Sequence, residues 1–263
     1  EGFFAVLLAW HFYPEFGWDC IGYGIFHSVS AFCNAGFDLF GNYNSLVGRG
    51  DDFFLLACLG TLIVLGGIGF TVMYEFVHYH SWRRLSLHTK LVVTTTAILI
   101  IVGGVLICVV DSQNPKTLGN VPVAEQWAQS IFTSISCRTA GFNTFDLGEA
   151  TQISQLVMII LMLIGASPLS TGGGIKSTTF CIILLSMWSV IKGKREIVIF
   201  GRRITKELQE QSFAIFTMAT IWVVTAGIIL SVIDGEIHEL EEVVFETVSA
   251  FGTVGMGIGI TNE

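Results

Sequence analysis

Thr253-Val254-Gly255-Met256-Gly257, near the end of the chain, differs at one position from the Thr-Val-Gly-Tyr-Gly string whose backbone carbonyls line potassium-selective filters. Two shorter relatives occur upstream, Asn34-Ala35-Gly36-Phe37 and Thr139-Ala140-Gly141-Phe142. Each follows a short stretch rich in serine and aromatic residues (Phe26 to Phe32, Ile131 to Cys137, Phe245 to Phe251), and long apolar runs flank each. Gly36, Gly141 and Gly255 are spaced 105 and 114 residues apart. A single such string is weak evidence. Three in equivalent settings predict repeated pore loops and an ion pathway.

Composition agrees. A hydrophobic share of 52%, a charged share of 13% and a mean hydropathy of +0.70 place the chain with integral membrane proteins. The runs Phe53 to Tyr74, Leu91 to Val110, Ile153 to Ile175 and Gln211 to Ile233 are each long enough to cross a hydrocarbon core of about 30 Å. Phe3 to Pro14 reads as the tail end of a further span, and the chain as a fragment of a longer protein.

The net charge of -8 hides a segregation of sign. Nine of the 13 basic residues lie in two loops: Arg83, Arg84 and Lys90, then Lys192, Lys194, Arg195, Arg202, Arg203 and Lys206. Acids fill the intervening loops: Asp38, Asp51 and Asp52; Asp111 and Glu125; Asp146 and Glu149; and Asp234, Glu236, Glu239, Glu241 and Glu242. The positive-inside rule makes the basic loops cytoplasmic and sets all three strings beside external loops. In so apolar a chain the basic loops are not read as a nucleic-acid surface.

Cysteine and histidine spacing offers no metal or redox site, and no cofactor is expected. Enzyme readings fail on chemistry. Gly172-Gly173-Gly174-Ile175-Lys176-Ser177 has isoleucine where a phosphate-binding loop needs glycine before its lysine. Ser167 has no histidine base within reach in the sequence pattern, because His238 belongs to an external acidic loop.

The spacing predicts an all-α membrane protein of helix, pore loop, helix units in a pseudo-fourfold arrangement. Residues 1–80, 81–203 and 204–263 supply about three of the four units. Backbone that turns irregular at membrane depth is tolerated only where it lines water or is buried in protein. The 39 residues from Ile153 to Ile191 carry one charge, Lys176, and as continuous helix would reach ~58 Å, about twice the hydrocarbon thickness. Pro168 and Gly172, Gly173 and Gly174 predict a break midway, at ~3 kcal/mol for the proline and around 1 for each glycine. An intramembrane gate is the expected role.

Ser30-Ala31-Phe32-Cys33-Asn34-Ala35-Gly36-Phe37, Cys137-Arg138-Thr139-Ala140-Gly141-Phe142-Asn143-Thr144 and Ser167-Pro168-Leu169-Ser170-Thr171-Gly172-Gly173-Gly174-Ile175-Lys176 resemble the Trk/Ktr/HKT superfamily of potassium transporters, the Ktr branch most closely. The resemblance covers essentially the whole chain as repeats two to four. It implies potassium uptake across the cell membrane by a multi-pass protein, with potassium as substrate and sodium as a candidate activating ion. The alternative is a Trk-type or HKT-like potassium/sodium symporter of the same fold. It also implies a homodimer in the lipid bilayer, docked on a cytoplasmic nucleotide-binding RCK ring of the KtrA/KtrC kind. Its gating loop falls here on Ala166, Ser167, Pro168, Leu169, Ser170, Thr171, Gly172, Gly173, Gly174, Ile175 and Lys176. Superfamily members usually carry glycine at the Leu169 position and often at the Ala166 position, so bulk there is expected to stiffen the loop.

Potassium sheds water in a narrow filter, and carbonyl dipoles replace its shell. The carbonyls of Asn34, Ala35, Gly36 and Phe37, of Thr139, Ala140, Gly141 and Phe142, and of Thr253, Val254, Gly255 and Met256 are the expected ligands. Glycine is expected where the dihedral φ turns positive. The half-helices before the strings aim partially negative ends at the cavity. Arg138 and Lys176 are the basic residues at membrane depth, where a charge needs partners. Arg138 is expected to brace the filter from behind through carbonyls or a carboxylate, with Glu246 as its candidate carboxylate, and Lys176 to face the cytoplasmic cavity.

Overall fold

A computed structural model describes residues 1–41, 44–79, 81–193, 196–234 and 237–259. Lys194, Arg195 and Glu236, counted above among the loop charges, lie outside the described residues.

The first unit consists of α1 (Gly2–Phe16), α2 (Cys20–Phe32), the first string, α3 (Phe53–Gly67) and α4 (Phe70–His78). The second contains α5 (Leu87–Asp111), α6 (Val123–Ser136), the second string, α7 (Gln152–Leu163) and α8 (Ser177–Ile191). A hairpin of β1 (Ile197–Ile199) and β2 (Arg202–Ile204) leads to α9 (Lys206–Asp234), α10 (Leu240–Gly252) and the third string. Within units α1 packs on α2, α5 on α6 and α9 on α10; between units α3 meets α6 and α7 meets α10.

Small residues set the closest crossings, as where lipid supplies no hydrophobic drive between helices. A Cβ on Gly24 of α2 would stand 2.6 Å from the Ala5 carbonyl and the Ala9 nitrogen of α1. One on Gly104 of α5 would stand 3.1 Å from the Ile131 Cα of α6. Helix starts are capped in the connecting loops: Asp52 accepts from the Leu55 N–H at 2.9 Å, and Ser86 from that of Thr89 at 3.1 Å. Glu239 and Glu242 close a capping box on α10. Asp111, fully buried, accepts from the Thr151 N–H at 3.0 Å. Several of the acids expected in external loops are thus engaged in holding backbone.

Two long apolar helices, α5 and α9, can span a membrane, and α9 is almost wholly exposed along its apolar stretch. The run Phe53 to Tyr74 is not the straight span expected. It bends by 98° between α3 and α4. Gly66, Gly67 and Gly69 weaken helix there, and Gly69 adopts φ 91°, which ends it. The pre-string helices are also longer than expected, with α2, α6 and α10 running 13, 14 and 13 residues. Leu87 packs with Ile182, Ile197 and Ile204, bringing both basic loops to one end of the molecule.

Candidate functional site

Each of α2, α6 and α10 ends in the same turn. Asn34, Thr139 and Thr253 take φ of 52°, 78° and 55°, and two residues later Gly36, Gly141 and Gly255 take 74°, 89° and 84°. The left-handed region is therefore entered twice per string, once by a residue with a side chain. Sequence reasoning assigned that need to glycine alone. Asparagine tolerates the region, whereas a β-branched threonine there is an outlier held by its surroundings. The Ala35 N–H bonds the Ser30 carbonyl at 2.8 Å, and the equivalent Val254 N–H bonds that of Ser249 at 2.9 Å.

The strings converge head to tail. A Cβ built on Gly36 would collide with the Ala140 carbonyl oxygen and stand 3.0 Å from the Gly141 Cα. One on Gly141 would collide with the Val254 carbonyl oxygen and stand 3.3 Å from the Gly36 Cα. The same relation thus links the first string to the second and the second to the third. Gly255 faces open space, onto a cleft of about 350 Å³ lined by Ala35, Gly36, Phe37, Thr253, Val254 and Gly255.

Side chains brace this array. The Asn34 amide lies 3.1 Å from Thr139 Oγ1, tying the first residues of two strings together. Ser30 Oγ donates to the Phe37 carbonyl at 2.7 Å. Fully buried His27 bonds the Tyr23 carbonyl through Nδ1 at 2.8 Å and stacks on Phe40 at 4.6 Å. Neither Ser30 nor His27 stood out as a brace in the sequence, because serine and histidine before an apolar turn have no distinctive spacing.

The Gly-rich loop between α7 and α8 sits directly at the helix-side ends of the strings. Its base is a narrow hairpin: the Ile175 N–H bonds the Leu163 carbonyl at 3.2 Å, and the Ala166 N–H that of Gly173 at 3.3 Å. Its tip touches the second and third strings and the end of α2, just before the first. Thr171 Oγ1 donates to the Phe32 carbonyl at 3.1 Å. A Cβ on Gly172 would collide with Thr139 Oγ1, and one on Gly173 would lie 2.9 Å from the Gly252 carbonyl oxygen. Leu169, where superfamily members usually have glycine, takes φ 57° and is 67% exposed. The backbone there explains the glycine preference, and the leucine side chain avoids crowding by projecting into open space. Ala166, by contrast, is 1% exposed.

Arg138 is buried and donates from Nη2 to the Gly165 carbonyl at 3.3 Å, at the start of the loop. Its Nε has no partner among the described residues, nor has Thr96 Oγ1, and both residues line a cavity of about 10 Å³. That is about one water probe. Glu246 lies in the groove between α9 and α10 with Trp222, Val223 and Ala226. Lys176 is half-buried and its Nζ donates to the Gly172 carbonyl at 2.7 Å, which folds the side chain back over the loop tip.

Against known families, residues 6–263 match the one described as "TrkH: Cation transport protein". The chain belongs to the TrkH family of cation transport proteins. It is 39% identical to the Ktr system potassium uptake protein B of Vibrio alginolyticus, over 98% of this chain and 56% of that protein. It is 37% identical to the potassium/sodium uptake protein NtpJ of Enterococcus hirae, over 98% and 57%, and 37% to the Ktr system potassium uptake protein B of Bacillus subtilis, over 98% and 58%. The chain thus spans a little over half the length of these relatives. The crystal structure of the potassium transporter TrkH from Vibrio parahaemolyticus superposes with a TM-score of 0.70 at 15% identity, covering 98% of this chain and 56% of that one. At that identity the likeness concerns the fold. Family and apolar helices together make this a membrane protein, and a transport protein in place of an enzyme.

Proposed function

We propose that the chain builds three walls of a potassium-conducting pore in the cell membrane. The carbonyls of Asn34 to Phe37, Thr139 to Phe142 and Thr253 to Met256 replace the ion's hydration shell, and the loop from Ala166 to Lys176 is the gate. The observation that carries this reading is the repeated seating of one string's glycine against the next string's carbonyl, at the C-terminal ends of three helices. Peptide oxygens and helix dipoles gathered at one axis favour a partly dehydrated cation. A fourth string of the same kind closes the ring at the cleft beside Gly255. Loop contact with two strings and with the end of the helix that precedes the first supports the gate, since an ion leaving their helix-side ends meets Thr171, Gly172 and Gly173.

Potassium as the substrate is supported by the names of the two Ktr relatives, and a part for sodium by that of the potassium/sodium uptake protein NtpJ. A Trk-type or HKT-like symporter of the same fold differs in its sodium coupling. The word system in the names of the two Ktr relatives supports partner proteins; the homodimer and the nucleotide-binding RCK ring are what the superfamily resemblance implies, the ring docking at the end that bears the basic loops. The test is potassium uptake by the full-length protein in a bacterium lacking its own uptake systems, with and without sodium. Rescue is expected at low potassium, and stronger with sodium. A protein that inserts in the membrane yet gives no rescue refutes the reading.

A further inference from the structure

The bend between α3 and α4 has a partner. Breaking a helix frees carbonyls before the break and N–H groups after it, and at membrane depth these need new bonds. Here the Gly-rich loop of the following unit supplies them. The Ser167 N–H bonds the Gly67 carbonyl at 3.0 Å, and the Thr171 N–H the Gly66 carbonyl at 3.3 Å. In return the Phe70 N–H, the first of α4, bonds the Leu169 carbonyl at 3.0 Å. The approach is close enough to exclude a methyl group. A Cβ on Gly69 would stand 2.5 Å from the Pro168 oxygen and 3.3 Å from the Leu169 oxygen, and Gly69 holds φ 91°.

We propose that Gly66, Gly67 and Gly69 are positioning residues for transport: the α3–α4 bend is the seat that holds the Gly-rich loop across the ion path. Loop and bend satisfy one another's backbone, so the closed position is self-consistent and each leaves the other unpaired when the loop withdraws. Opening therefore requires the bend to find other partners, among them its own helix if α3 and α4 straighten. The seat belongs to one unit and the loop to the next, so rearrangement of either basic loop, one after α4 and one after α8, reaches the same contact. The inference rests on the reading of the loop as a gate.

The test compares rubidium influx and rubidium-over-sodium preference in proteoliposomes of the full-length protein. Gly69→Ala should raise influx on the order of tenfold, from strain plus collision at the seat, with ion preference unchanged. Gly41→Ala is the control, because Gly41 shares a positive φ of 84° with nothing near its Cβ position, and it should leave influx unaltered. A variant lacking Leu169 to Gly172 should conduct freely. If that variant conducts freely while folded Gly69→Ala does not exceed wild type, the seat is wrong and the gate stands. If shortening the loop changes nothing, the gate reading itself falls. Should Gly69→Ala fail to fold, hydrogen exchange at the Phe70 amide decides: the variant lacking Leu169 to Gly172 should lose its protection there, and unchanged protection overturns the proposal.

Discussion

Gly141→Ala in the full-length protein isolates what one added methyl does to the pore. Gly141 sits at φ 89°, a region that costs a residue with a side chain ~1–3 kcal/mol. Its Cβ would also collide with the Val254 carbonyl oxygen, so either the second string or the third must move. If that strain falls on the arrangement that fits potassium, preference over sodium drops by ~5- to 150-fold, at about 1.36 kcal/mol per factor of ten. Two matched variants divide the effect. Gly255 and Gly41 share φ 84° and open space at the Cβ position, but only Gly255 belongs to a string. Gly255→Ala should fall towards the lower end of that range, and Gly41→Ala should leave preference untouched while lowering stability modestly. The assay is competitive rubidium and sodium tracer uptake, with thermal unfolding in detergent to verify folding. A folded Gly141→Ala protein with wild-type preference would refute the convergence of strings as the basis of selectivity.

Arg138→Leu should lower the unfolding temperature by the equivalent of ~1–3 kcal/mol, by orphaning the buried Gly165 carbonyl, with Arg138→Lys intermediate, read by thermal scanning. Lys176→Ala removes the bond to Gly172 and should raise influx through the resting protein; an unchanged rate would confine the lysine to anchoring at the membrane edge. In the loop before α3, Arg49 bonds Glu15 and holds its carboxyl below the ordinary value of 4.5. A depressed carboxylate contributes stability above that value and loses it as pH falls, so acidification should destabilise the wild type more than Glu15→Gln, measured by unfolding at a series of pH values. The pair is largely exposed and its contribution small.

The repeat of units, the three strings and the break near Pro168 were legible because each has a local cause: an apolar run of membrane length, or residues that abolish helix. Gly255 carries its turn in its own sequence, whereas the positive φ of Thr253 is imposed by its surroundings. The bend at Ile68 was not, although Gly66-Gly67-Ile68-Gly69 is plain to see, because a glycine pair within an apolar run is equally compatible with close helix packing, as Gly104 demonstrates on α5. What decides between them is the loop arriving a hundred residues later with N–H groups for the freed carbonyls. Carbonyl bracing of Arg138 was among the expectations, but which carbonyl, that of Gly165, was not legible for a related reason. A buried arginine advertises a need for acceptors, and a carboxylate is the visible candidate in a sequence, whereas any peptide carbonyl can serve.

One arrangement has implications for how such a protein changes over time. Ala140's oxygen occupies the place a methyl would take on Gly36, and Val254's occupies the corresponding place on Gly141. The aperture is thus sized by neighbours leaning on one another, like staves in a cask. A wider or tighter passage that keeps its fit demands matched replacements on adjacent hairpins, so a new ion preference should arise through paired substitutions, single ones only eroding the old.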